Sequence, residues 1–129
     1  MRTDAPFADD LIRKALEGGA ELAEVYERAL RTISADASEG RAEAVETSVS
    51  FGYGLRVIRG GRLGFAYANG KQSPEKVVKT ALEMASVSEK DEFLDLPEPA
   101  QPSGEPVDIY DESIAALTEP EAVSLACDV

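Results

Sequence analysis

Two adjacent glycines, Gly60 and Gly61, stand between two short apolar runs and constrain the fold more than any other feature of the chain. A two-residue Gly-Gly loop favours a type I′ or II′ hairpin, because those turns need positive φ and glycine adopts it without steric cost. Counting outward from the loop then sets the register. On one side Ile58 faces Leu63, Arg56 faces Phe65 and Gly54 faces Tyr67; on the other Val57 faces Gly64, Leu55 faces Ala66 and Tyr53 faces Ala68. Large residues repeatedly oppose small ones, and both sides carry apolar groups. Such a ribbon predicts cover on both faces, by helices or by another protein surface. The residues that define it are Gly52, Gly54, Arg56, Gly60, Gly61 and Gly64. Arg56 is the polar exception. Opposite Phe65, its guanidinium either lies over the ring or reaches a carboxylate, and a structural brace outweighs a ligand-binding role.

The flanking segments extend this hairpin into a sheet with helices. Asp4 to Glu17 reads as a helix, with Ala8, Leu11, Ile12, Ala15 and Leu16 at helical spacing and Gly18-Gly19 as its stop. In Ala20 to Arg31 the positions of Leu22, Val25, Tyr26, Ala29 and Leu30 also fit a helix, with a long strand as the competing reading. Arg41 to Phe51 alternates Val45, Thr47, Val49 and Phe51 with polar residues, as a half-buried strand does. Ser73 is the expected N-cap of a helix that carries Pro74 in its first turn, buries Val77, Val78, Ala81, Leu82 and Ala85, and ends near Val87. Pro97, Pro99, Pro102 and Pro106 mark an extended connector. Beyond it a short strand is expected at Val107 to Tyr110. Thr118-Glu119-Pro120-Glu121 then opens a last helix with Ala122, Val123, Ala126 and Val129 as its stripe. No stop signal follows, which predicts that the natural protein continues.

Composition narrows the chemistry. With 13 basic against 25 acidic residues the 129-residue chain carries a net charge of −12, so nucleic-acid binding is disfavoured. No apolar run is long enough for a membrane span, and the acidic N-terminus is unlike a signal peptide, so the expected location is cytoplasmic. The single Cys127 rules out an intrachain disulfide. The complete lack of histidine decides more, because it removes Ser-His and Cys-His pairs and histidine-ligated zinc.

The remaining candidate motifs have structural explanations. Gly52-Tyr53-Gly54 begins like a dinucleotide fingerprint, but Val57 occupies the third glycine position and no helix follows. Ser50 lacks the flanking glycines of a nucleophile elbow. Asp91, Glu92 and Asp95, and again Asp108, Asp111 and Glu112, lack EF-hand spacing and read as solvated loops. Cys127 reads as packing in the last helix. No catalytic and no metal-binding residue is expected in this chain.

A family resemblance adds to this reading. Gly19-Ala20, Ala23-Glu24-Val25-Tyr26, Gly54-Leu55-Arg56-Val57 and Gly60-Gly61-Arg62-Leu63-Gly64-Phe65-Ala66 occur in that order. Ser73-Pro74-Glu75 and Ala81-Leu82-Glu83-Met84-Ala85 follow. The series, over about residues 8 to 125, resembles the N-terminal domain of the TldD/PmbA family, long labelled modulators of DNA gyrase and regarded as metallopeptidases. Asp91 to Pro97 is more similar to PmbA-type than to TldD-type members.

The resemblance implies a longer parent protein. TldD-type chains carry a zinc-binding H-E-x-x-x-H helix after this domain, so zinc is expected only in the missing C-terminal part of a TldD-type complex. It implies a homologous family subunit as partner, in a homo- or heterodimer, and a peptide substrate for the full-length complex, with unfolded or precursor peptides degraded. No catalytic residue of the family transfers onto this chain. It also implies strand from Glu24 onward, against the helical period.

The expected fold is α+β. An antiparallel sheet of about four strands (24–38, 41–51, 52–59 and 62–68) has the Gly-Gly hairpin at its centre, packed by the N-terminal helix and the 74–87 helix. Residues 1–95 form the N-terminal domain, and 96–129 the Pro-rich connector and the start of a truncated C-terminal part. The expected role is the non-catalytic N-terminal domain of a PmbA/TldD-like metallopeptidase. The alternative is a stand-alone protein-binding module without enzymatic activity.

Overall fold

The computed structural model describes residues 5–71, 73–98, 104 and 108–129. Its order is α1 (Ala5–Glu17), β1 (Leu22–Ser38), β2 (Arg41–Arg59), β3 (Arg62–Asn69), α2 (Pro74–Val87), α3 (Glu112–Ala115) and α4 (Glu119–Cys127). The three strands form one open antiparallel sheet in the order β1-β2-β3, so the fold is α+β. The runs 41–51 and 52–59, read separately from sequence, form one strand. Nothing at Phe51-Gly52 turns the chain, and Gly52 pairs with Asn69 within the same ladder.

The β2–β3 register is the one counted from the loop, with Val57 on Gly64, Leu55 on Ala66 and Arg56 on Phe65. Gly60 and Gly61 have φ of 59° and 69°, the paired positive values of a type I′ turn. Glu39 and Gly40 make the other hairpin in the same way, at φ of 50° and 70°. The segment from Leu22 is strand, as the family resemblance implied from Glu24 onward, and not the helix its period suggested. Ala23 and Val25 both pack on the core two residues apart, and pairing with β2 overrides a helical propensity of only tenths of a kcal/mol per residue.

The chain divides into two compact units, residues 1–29 with 50–99, and residues 30–49 with 100–129. In the first, α1 and α2 pack on one face of the sheet and on each other. Leu11 and Ala15 of α1 and Leu55 and Val57 of β2 are fully buried, and each of the larger side chains contributes about 1.5–3 kcal/mol of apolar burial. α1 ends where Gly19 turns to φ 102° and the Ala20 amide bonds back to the Ala15 carbonyl at 3.0 Å. Asp4, the expected start of α1, lies outside the described residues. α2 buries Val77, Val78, Ala81 and Ala85, and the two alanines let its backbone come close to β3 at Gly64.

Ser73 does not cap α2 as expected. It sits in the left-handed region at φ 53°, and its side chain makes no capping bond; instead its carbonyl accepts from the amides of Lys76 and Val77 at 3.0 and 3.2 Å. Among the described residues the two faces of the ribbon are covered unequally, with Ile58 buried on the outer face. Its inner face holds Tyr53, Leu55, Val57 and Ala66, whereas Phe65 and Tyr67 on the outer face are 53% and 72% exposed.

In the second unit the ends of β1 and β2 are accompanied by α3 and α4. Every residue from 41 to 49 is exposed. Arg31 donates to the Leu117 carbonyl at 3.2 Å, and Thr47 donates to the Glu119 carboxylate at 2.5 Å. The expected capping box is present, with the Thr118 amide on Glu121 at 2.8 Å. Val129 lies beyond α4 and is exposed, so it takes no part in the stripe. The short strand expected at Val107 to Tyr110 does not form over 108–110, and Val107 lies outside the described residues.

Candidate binding site along the outer strand

β3 is an edge strand, bonded to β2 alone among the three strands. In a two-residue hairpin the residues flanking the loop exchange main-chain hydrogen bonds, and the pattern then alternates. Arg62, Gly64, Ala66 and Ala68 therefore bond inward to β2, whereas Leu63, Phe65, Tyr67 and Asn69 aim their main-chain groups outward. The Gly70 amide on the Phe51 carbonyl at 2.7 Å continues the inward series.

The first part of this edge is closed by the chain itself. The Asp91 amide donates to the Gly61 carbonyl at 2.8 Å, the Ser88 hydroxyl donates to the Leu63 carbonyl at 2.6 Å, and Arg62 forms an antiparallel bridge with Lys90. The Arg62 guanidinium also donates to the Ser88 carbonyl. Beyond Leu63 the edge is open. Among the described residues nothing bonds the outward main-chain groups of Phe65 or Tyr67.

A groove of about 540 Å³ runs beside this open stretch, between residues 65–69 and the Lys76, Val77, Thr80 and Met84 side of α2. Among the described residues Lys76 is its only charged lining residue. On the outer face the Phe65 and Tyr67 rings lie 6.2 Å apart and nearly parallel, at 29°. Gly54 makes room for Phe65, since a Cβ there would stand 3.0 Å from the ring. Arg56 takes the carboxylate option: it ion-pairs with Glu24 of β1. Tyr26, two residues along β1 and 69% exposed, shares that face.

A second groove lies between α1 and α2, beside Arg59, Leu82 and the Lys14–Glu75 ion pair. Lys14 reaches Glu75 at 2.7 Å and Asp10 at 2.8 Å. Its hydrogen bond holds Glu75 below the usual carboxylate range, and the Lys14 and Arg13 hydrogen bonds do the same for Asp10. Asp10 and Glu75 in turn raise Lys14. The ion pair ties the two helices together on the surface. Inside, burial raises the Tyr53 hydroxyl, with the Glu75 charge a smaller cause, and the Phe7 ring meets Tyr53 edge-on at 5.0 Å.

The acidic loops are used locally. Asp91 accepts from the Phe93 amide at 2.8 Å, Asp95 from Leu96 at 2.8 Å, and Asp111 from the Ser113 amide at 2.8 Å. No group of three or more metal-ligating side chains gathers among the described residues. The family resemblance implies zinc only in a later part of a TldD-type complex, not on these residues. Cys127 is half-buried in α4. Among the described residues no helix is long and apolar enough to cross a membrane.

Against known proteins, residues 23–85 match the family model for PmbA/TldA metallopeptidase domain 1. The chain carries a PmbA/TldD first domain. TldE from Thermococcus kodakarensis is similar in structure, with a TM-score of 0.64 and 28% identity over 81% of this chain. A proposed modulator of a DNA gyrase from Thermotoga maritima shares the fold, with a TM-score of 0.69 and 21% identity over 92% of the chain. The chain spans about a quarter of each, 24% and 26% respectively. No curated protein matches it.

Within this PmbA/TldD domain Gly52, Gly54, Arg56 and Gly64 lie on one ribbon, which Gly60 and Gly61 turn. The open edge and its groove were missed. Their signal was available in the alternation of inward and outward amides that a two-residue loop imposes, but the position of α2 beside β3 was not.

Proposed function

We propose that this chain is the non-catalytic N-terminal domain of a PmbA/TldD-like metallopeptidase, contributing to a subunit contact or to the wall of a peptide-binding cleft. The match of residues 23–85 to the first domain of that family carries the reading. A chain without histidine would leave the zinc and the bond-breaking chemistry to a later domain or a homologous partner subunit. A cytoplasmic location and handling of unfolded or precursor peptides belong to the same proposal.

The exposed Phe65, Tyr67 and Tyr26 favour this over a stand-alone module, which would present little contiguous apolar surface. The test is a peptidase assay with and without zinc on this chain and on the protein encoded with its downstream sequence. The reading expects no cleavage by the 129-residue chain and zinc-dependent cleavage by the longer protein or its pair with a homologous subunit. EDTA-sensitive cleavage by the short chain alone would overturn it. A zinc-binding helix downstream would mark the TldD type, and a similar continuation without one the PmbA type.

A further inference from the structure

We infer that Asn69-Gly70, at the end of β3, is a self-modifying site, where Asn69 loses ammonia and becomes aspartate or isoaspartate at a rate set by the opening of the last rung between β3 and β2. The inference is independent of the peptidase reading. Asn69 is the single asparagine of the chain, and a glycine follows it. A glycine amide is the one a preceding side chain reaches most easily, because no Cβ stands beside it. Asn69 is exposed, and among the described residues no hydrogen bond holds its carboxamide.

The junction has room for ring closure. Gly52 faces Asn69 across the ladder, and the Asn69 Oδ1 lies 3.3 Å from where a Cβ on Gly52 would stand. Gly70 turns the chain at φ 71°, with nothing within 4 Å of a Cβ there. The Gly70 nitrogen attacks Asn69 Cγ, the Cγ–Nδ2 bond breaks, and ammonia leaves with the proton that the Gly70 amide gives up. Water then opens the succinimide at either carbonyl. Water is the only co-reactant, and nothing is oxidised or reduced.

The native ladder holds this chemistry back. The Gly70 amide donates to the Phe51 carbonyl at 2.7 Å, which keeps its nitrogen engaged away from Cγ. Asn69 ends β3, and its extended backbone must rotate about the Cα–C bond before that nitrogen faces Cγ. Opening of the rung releases both constraints, and strand ends open most readily. The product alters the same place. Either carboxylate joins a groove lining in which Lys76 is the only charged residue among those described. Isoaspartate also routes the main chain through the former side chain and lengthens it by a methylene, so the Gly70 amide no longer meets Phe51 in register.

The test incubates the 129-residue chain beside a free peptide of residues 66–71 at mildly alkaline pH. Mass spectrometry follows the gain of about 1 Da, peptide mapping assigns isoaspartate at position 69, and hydrogen exchange follows the Gly70 amide. Conversion is expected at Asn69, about tenfold to a hundredfold slower than in the peptide, and should be lost in Asn69→Gln. Sub-denaturing urea should raise conversion, relative to the peptide, by the same factor as Gly70 exchange. The purified isoaspartate form should lose protection of the Gly70 amide, whereas Asn69→Asp, which adds the charge without the methylene, should keep it. Conversion as fast as in the peptide, none within about a hundred peptide half-times, urea factors that differ, or a protected Gly70 amide in the isoaspartate form would each overturn the inference.

Discussion

Gly64 lies directly beneath Ala81: a Cβ on Gly64 would overlap the Ala81 carbonyl oxygen and stand 2.8 Å from the Ala85 nitrogen. Backbone meets backbone there, so neither side can yield by rotating a side chain. Gly64→Ala must push α2 off β3. We expect a loss of about 3 kcal/mol, at the upper end for overpacking, read as a lower urea midpoint with an unchanged slope.

Gly60→Ala tests the opposite case. Nothing lies within 4 Å of a Cβ at Gly60, yet its φ of 59° belongs to the left-handed region. The cost should come from backbone strain alone, about 1 kcal/mol. Gly60→Asn, which tolerates that region better, should recover part of it in the same denaturation series.

Leu55→Ala should cost about 2–5 kcal/mol, because Leu55 is fully buried between the sheet and the helices and its loss leaves a cavity. Phe65→Ala, on the exposed outer face, should change thermal stability far less. A comparable loss at both positions would show that the outer face is covered in solution.

Arg56 and Glu24 form an ion pair that is substantially exposed on both sides. A double-mutant cycle with Arg56→Met and Glu24→Gln should give a coupling of about 0.2–1 kcal/mol, shrinking in high salt. That outcome supports the structural role for Arg56 over a ligand-binding one.

The Lys14 cluster sets a pH window. Asp10 and Glu75 are held below their ordinary values, so their contribution is present above about pH 4 and fades as pH falls through the lower folded values. Lys14 is raised, so its contribution is complete below about pH 10 and is lost as pH rises through its folded value. The difference in Tm between the unaltered chain and Lys14→Met should be largest between these limits and vanish outside them.

Much of the fold was legible because local chemistry and long-range packing agree. The Gly60-Gly61 loop gave the β2–β3 register residue by residue, and Pro74 with the Val77–Val78–Ala81–Ala85 stripe placed α2. The residue pattern alone falls short where a distant contact decides. Leu22 to Arg31 has a helical period, and only pairing with β2 makes it a strand. Ser73 looks like a cap by residue type but turns left-handed, and its carbonyl, not its hydroxyl, meets the first turn of α2. The open stretch of β3 was not legible because it depends on where the later segment at Ser88–Asp91 returns.

The return of Lys90 to Arg62 also bears on solubility. A bare outermost strand is a template on which identical molecules can stack without end. By covering its own first residues, the protein shortens that template along β3 to residues 65–69.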